Sequence, residues 1–225
     1  MSPRFGFKLL AGAVLAASSA AALAAQQWSV DLQNGPATLT GSEYTTVRSY
    51  VTGSGAEAVT LKASGYSNTG TNGNNGSIDN SNNNLLESAY LYRGANWQGL
   101  GVYNRDKDNG SDSQEGSDPE HSIDNNERTD AVLMDFGGKD IRLDTVDIGW
   151  APYDSDFFVL AYQGAGTPTL SGTSYKDLSG WTLIGNYSNQ GANNVDLATA
   201  GSGSVINADR ANIYSSFWLI GAGGF

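Results

Sequence analysis

The single histidine of the chain, His121, lies in "PEHSIDNNERTD" (residues 119–130) beside Glu120, Asp124, Glu127 and Asp130. A nucleophilic hydrolase needs a base of this kind, an orienting carboxylate and a serine held against them. His121 with Asp124 or Asp130 would supply the first two, but no Gly-x-Ser-x-Gly elbow supplies the nucleophile. A loop histidine bonded to a neighbouring carboxylate or carbonyl is the favoured reading. Glycosidases need two carboxyl groups about 5 to 10 Å apart. Glu115, Asp118 and Glu120 fall in a Gly/Pro-containing loop, and Asp154 and Asp156 of "YDSDFF" follow Pro152 at the start of a strand-like run, where turn-forming aspartates are expected.

Metal chemistry is narrowed by donor type. One histidine and no cysteine make a zinc site improbable, whereas calcium takes oxygen donors, which are plentiful. "DKDNGSD" resembles an EF-hand loop at Asp106 and Asp108, but glycine falls at the fifth position rather than the sixth and no helical pattern flanks it. The acidic side chains around "PEHSIDNNERTD" repel one another unless solvent or a cation separates them. A calcium ion there would draw on Asp124, Asn125 and Asp130, helped by Asp106, Asp108 or Asp112. Trp97, in "RGANWQG", has polar and glycine neighbours and is the candidate sugar-stacking platform, while Trp150, Trp181 and Trp218 lie within apolar runs and are expected in the core.

The elements that must position these residues read as strands. Aromatic and β-branched residues fall in short runs separated by Gly, Asn, Asp and Ser: "WSVDL", "TTVRSYV", "AVTLKASGY", "SAYLYR", "GLGVYN", "AVLMDF", "IRLDTVDIGW", "FFVLAYQG", "WTLIGNY", "NVDLAT" and "YSSFWLIGA". No helical period of useful length is present. Alternation places Trp181, Leu183 and Tyr187 on one face and Phe158, Leu160 and Tyr162 on one face. Other runs are apolar on both faces. In "IRLDTVDIGW" the apolar parity slips between Leu143 and Val146, which predicts a β-bulge near Asp144 or Thr145. The expectation is an all-β chain forming a single β-sandwich or jelly-roll-like domain over residues 25–225. Two loops interrupt it: a Gly/Asn-rich tract at 67–84, expected to be exposed, and an acidic loop at 105–130.

Residues 1–24 read as an export address. Arg4 and Lys8 precede the apolar "LLAGAVLAA", and small residues end at Ala22-Leu23-Ala24, the pattern of a secretory signal peptide too short to span a bilayer. Removing it takes two of the 12 basic residues and none of the 23 acidic ones, leaving a net charge of −13. Such a polyanion is a poor nucleic-acid binder. Without cysteine, stability must come from a packed core, for which about 200 residues suffice.

From Leu100 onward, "GLGVYN", the acidic loop, "HSIDNNERTDAVLMDFG", "IRLDTVDIGW", "DSDFFVLAYQG", "LSGWTLIGNY" and "SSFWLIGA" resemble the exosortase-dependent, PEP-CTERM-sorted surface proteins of Gram-negative bacteria. The order of motifs is specific over the C-terminal half. The segment before Tyr90 is only compatible with it. The resemblance implies an exported all-β protein, anchored or released at the surface of cells that make extracellular polysaccharide, and it carries over no catalytic residue. The positions that match are His121, Asp124, Asn125, Asp130, Asp154 and Asp156. The chain departs from the family at "WLIGAGGF", where the Pro-Glu-Pro motif, apolar span and basic cluster of the sorting tail do not follow. A longer parent chain bearing that tail is the expectation, and exosortase is a partner only of such a chain. The function expected is a non-enzymatic surface or matrix protein associated with biofilm exopolysaccharide. A carbohydrate-binding module for that polysaccharide is the alternative, and a hydrolase the third reading.

Overall fold

The computed structural model describes residues 7–13, 26–32, 44–55, 58–68, 85–93, 99–104, 122–125, 128–151, 155–199 and 201–225. Their strands are β1 (Phe7–Ala13), β2 (Gln26–Asp31), β3 (Tyr44–Thr45), β4 (Val47–Thr52), β5 (Val59–Ser67), β6 (Glu87–Tyr92) and β7 (Gly101–Tyr103). β8 (Asp130–Asp135), β9 (Arg142–Ile148), β10 (Phe157–Tyr162), β11 (Trp181–Tyr187), β12 (Asn194–Asp196), β13 (Val205–Ile206) and β14 (Phe217–Ala222) follow. Helical structure among the described residues is confined to short 3-10 turns, such as those at Tyr175–Asp177 and Arg210–Asn212. The chain is all-β.

Two antiparallel sheets face each other as a sandwich. The smaller runs β12-β9-β1-β2, and the larger runs β13-β11-β10-β14-β8-β5-β6-β3, with β4 also on β5 and β7 on β6. β5 is the long organiser: β8 lies along one edge, while β4 and then β6 share the other. Between the sheets lies one core, to which Val30, Leu61, Met134, Val146, Val159 and Trp218 contribute.

Burial along the strands follows from what covers each face. β5 alternates buried and accessible residues, as a strand with one covered face should. β8, β10 and β14 are buried almost throughout. Their second face is covered by the segment before β11, where Leu170, Tyr175 and Leu178 pack on Ala131, Leu133, Phe158, Leu160 and Leu219. That cover is pinned to the sandwich: the Leu86 N–H donates to the Thr173 carbonyl at 2.7 Å and the Gly172 N–H to the Leu86 carbonyl at 2.9 Å. Continuous apolar runs are the sequence mark of strands covered on both faces.

Two bulges reset the side-chain parity. In β9, Thr145 stands opposite Leu10 and Leu143 opposite Ala11, so Asp144 is the extra residue and the slip falls where the apolar pattern predicts. Arg142 holds it, donating from Nε and Nη2 to the Asp144 carboxylate at 2.7 and 3.2 Å. In β11, Gly185 stands opposite Val159 and Leu183 opposite Leu160, which leaves Ile184 as the extra residue. This corrects the expectation that Trp181, Leu183 and Tyr187 share a face. Trp181 and Leu183 pack with the outer cluster, whereas Ile184 and Tyr187 enter the core between the sheets. Phe158 and Leu160 lie on the outer face, and Tyr162 joins them through its ring contact with Trp181.

One segment boundary differs from the sequence reading. The Gly/Asn-rich loop was expected to be exposed from residue 67, but Ser67 closes β5 and, with Asn68, is buried. Residues 69–84 lie outside the described residues. In the full chain Phe7–Ala13, within the stretch read as a leader, is strand β1, paired with β2 on one side and β9 on the other. An apolar run that suits a signal peptide also suits a sheet interior, which is why composition alone does not separate the two.

Candidate functional site

The motif residues meet where the acidic loop enters β8. Ser122 is buried; its carbonyl accepts the Val102 N–H at 3.1 Å and its hydroxyl donates to Asp124 Oδ2 at 2.9 Å. The Asp124 carbonyl accepts the Asp130 N–H at 2.9 Å, which closes the loop onto the first residue of the strand. Thr129 is fixed from two more sides. Its N–H donates to Asn68 Oδ1 at 2.7 Å, and its carbonyl accepts the Tyr175 hydroxyl at 3.0 Å. Arg128 and Asp130 are both buried. Burial holds the Tyr175 phenol well above the usual tyrosine range, and the negative charge of Asp130 pushes it further up.

The second motif reaches the same end of the sandwich. Asp156 precedes β10, and its carbonyl accepts the Gly223 N–H at 2.7 Å, just after β14. Its Oδ1 accepts the Asn189 N–H at 2.7 Å. Asn189 has φ of 53°, the only positive φ among the described non-glycine residues, and asparagine is a side chain that tolerates this region. Ser155 Oγ accepts the Gly191 N–H at 2.8 Å from the same turn. Asn125, which is exposed, borders Gly223 from the other side: a Cβ on Gly223 would stand 2.8 Å from Asn125 Nδ2. The two motifs therefore clasp the exit of β14.

Asp156→Ala removes the acceptor for the Asn189 amide in a turn with a left-handed residue. It is expected to cost about 1 kcal/mol, with Asp156→Asn costing less because an amide oxygen remains. Urea melts of both variants check this.

Of the calcium candidates, Asp124 is half-buried and bonded to Ser122, Asn125 is exposed beside Gly223, and Asp130 is buried at the start of β8. Among the described residues no group of three or more His, Cys, Asp or Glu side chains is placed to hold a metal ion. Asp106, Asp108, Asp112, Glu115, Asp118, Glu120, His121, Asp154 and Trp97 lie outside the described residues.

One group of residues escaped the sequence reading. Trp150 and Trp218 are buried as expected, but Trp181 is only half-buried. Its ring centroid lies 5.2 Å from that of Tyr162, which lies 6.2 Å from Phe217, and both partners are half-buried too. These rings form a partly accessible aromatic strip on the outer face of the larger sheet. The bulge at Ile184, invisible to a simple alternation, puts Trp181 there.

No family model, curated protein or solved structure matches the chain.

Proposed function

We propose that the protein is a non-catalytic, exported β-sandwich of the cell surface or extracellular matrix, of the exosortase-dependent kind its motifs resemble, and that it associates with exopolysaccharide. The observation that carries this reading is the use made of the motif residues: Ser122 bonds Asp124, whose carbonyl accepts the Asp130 amide at the start of β8, and Asp156 before β10 accepts the Asn189 amide and, just after β14, the Gly223 amide. Residues so engaged account for the motifs as a clasp. The leader-like N-terminus and the strongly acidic, cysteine-free composition fit the same role.

Fractionation of the producing cells tests it. The chain is expected outside the cytoplasm with an N-terminus near Gln26 by mass spectrometry, and an intact Met1 on cytoplasmic material would overturn export. Calcium at the 124–130 loop is part of the proposal through Asp124, Asn125 and Asp130 with Asp106, Asp108 or Asp112. Ion at 100 times its dissociation constant would add about 2.7 kcal/mol. Equal melting temperatures in calcium and in chelator would dismiss it.

A second reading, a carbohydrate-binding module, is favoured by the half-accessible rings of Tyr162, Trp181 and Phe217. Affinity electrophoresis against extracted exopolysaccharide separates the two. Retardation that disappears in Trp181→Ala or Trp97→Ala supports binding through that ring, and unretarded migration on every polymer dismisses it. The hydrolase reading stands or falls on turnover of chromogenic esters and glycans that His121→Ala abolishes.

A further inference from the structure

β1 occupies an interior position of the smaller sheet. It pairs with β2 from Lys8–Asp31 to Ala13–Gln26 and with β9 from Phe7–Ile148 to Gly12–Arg142. Neighbouring strands lie about 4.8 Å apart, so without β1 its two neighbours face each other across about 9.6 Å. Each would present a row of backbone N–H and C=O groups to the gap.

Both walls are held by contacts that do not involve β1. On β2, the Leu32 carbonyl accepts the Tyr50 hydroxyl at 3.0 Å and the Ser29 carbonyl accepts the Thr52 hydroxyl at 3.2 Å, while Val30 and Leu32 are buried in the core. On β9, the far edge is paired with β12, and Ile141 forms a bridge with Ser215. β2 and β9 are both antiparallel to β1 and hence parallel to each other. Closing the gap would require a new, slanted parallel register and would tear β2 from Tyr50 and Thr52.

The register also specifies what fits. Phe7, Leu9 and Ala11 stand opposite Ile148, Val146 and Leu143, all core residues. Lys8 stands between Asp31 on one wall and Asp147 on the other. We propose that removal of the leader turns this gap into a strand-acceptor site for an extended segment of another polypeptide. That segment carries apolar residues at the positions of Phe7, Leu9 and Ala11 and a cation at the position of Lys8. Backbone pairing on two edges supplies affinity, and the alternate positions supply specificity.

The proposal rests on the export reading, and the test keeps the two apart. A protease recognition sequence is placed within residues 14–25 of the full chain, the folded protein is cut there, and a labelled synthetic peptide of residues 6–14 is added. The cut chain is expected to stay folded and to exchange its own leader for the labelled peptide saturably. A peptide carrying Lys8→Glu should compete at least about ten-fold more weakly, and one carrying Leu9→Asp not at all. A cut chain that releases its leader, remains folded and takes up no peptide overturns the acceptor site. So does a chain that unfolds on release, because β1 is then an integral strand, and so does equal competition by the Lys8→Glu peptide. An intact Met1 on cytoplasmic material would overturn the export reading alone, since the cut chain probes the gap whichever N-terminus the cell makes.

Discussion

Above pH 10 the protein is expected to lose stability steeply and to unfold cooperatively. Tyr50, Tyr175 and Tyr187 each donate their hydroxyl to a backbone carbonyl, of Leu32, Thr129 and Leu197, at 3.0, 3.0 and 3.1 Å. A phenolate cannot donate, and it would face the oxygen that now accepts. Burial is the largest cause holding all three phenols protonated beyond the ordinary value of 10.0. Asp31, Asp130 and Asp196 reinforce it at Tyr50, Tyr175 and Tyr187 respectively, while Arg48 and Arg93 oppose it at Tyr50 and Arg210 at Tyr187.

The sign follows from proton counting. Below pH 10 both folded and unfolded chains keep these protons and the full stability is present. Above it the unfolded chain releases protons that the folded chain retains, so each tyrosine removes about 1.4 kcal/mol per pH unit until its folded value is reached. Three together remove about 4 kcal/mol per unit. A stability on the order of 10 kcal/mol is thus strongly eroded over the first units above pH 10. Urea melts from pH 8 to 12, with tyrosinate absorbance followed alongside, measure it. Full tyrosine ionisation near pH 10 with the fold intact would refute the burial of these hydroxyls.

Trp218→Ala is expected to be the most damaging single truncation in the core. Trp218 is completely buried in β14, opposite Ala161 of β10 and Met134 of β8, and its indole N–H donates to the Ser215 carbonyl at 3.0 Å. Losing the side chain leaves a cavity in the middle of the larger sheet and costs about 3 to 5 kcal/mol. The orphaned carbonyl adds about 1 kcal/mol. Trp218→Phe keeps most of the volume and should recover more than half of that loss, which distinguishes a packing role from general intolerance of this position. Equilibrium urea unfolding of the two variants, with Trp181→Ala as a half-exposed comparison, gives the ranking; equal losses at the two tryptophans would contradict it.

The strands were legible because their chemistry is local. Each strand-like run coincides with a strand or a pair of strands, since alternation, β-branching and flanking turn residues act within a few positions. The Asp144 bulge was legible for the same reason: apolar residues on both sides of it register the change of parity. The bulge at Ile184 was not, because "WTLIGNY" has apolar residues at both parities and Gly185 gives no side chain to show the shift. The cover over β8, β10 and β14 announced itself only as runs apolar on both faces. What covers them, "TPTLSGTSYKDLSG", has the composition of turns, and its few apolar residues gain meaning only from the surface beneath. The site was less legible still. The acidic motifs mark a place in the fold, but Asn68 and Tyr175, which fix Thr129 beside them, come from distant parts of the chain and carry no shared pattern.

The position of β14 bears on the order in which the molecule can be made. It is the most C-terminal of the described strands, yet it lies between β10 and β8, with register partners running from Phe157 to Ala161 and from Ala131 to Asp135. A nascent chain that has reached residue 216 holds β8 with β5 on one side and β10 with β11 on the other, two half-sheets lacking their common neighbour. Their exposed edges can be joined only after Phe217–Ala222 has emerged, and pairing at such sequence separation is slow. The larger sheet must therefore remain open until this strand has emerged, which is the condition in which a polypeptide can be threaded, or held by a chaperone, before it closes all at once.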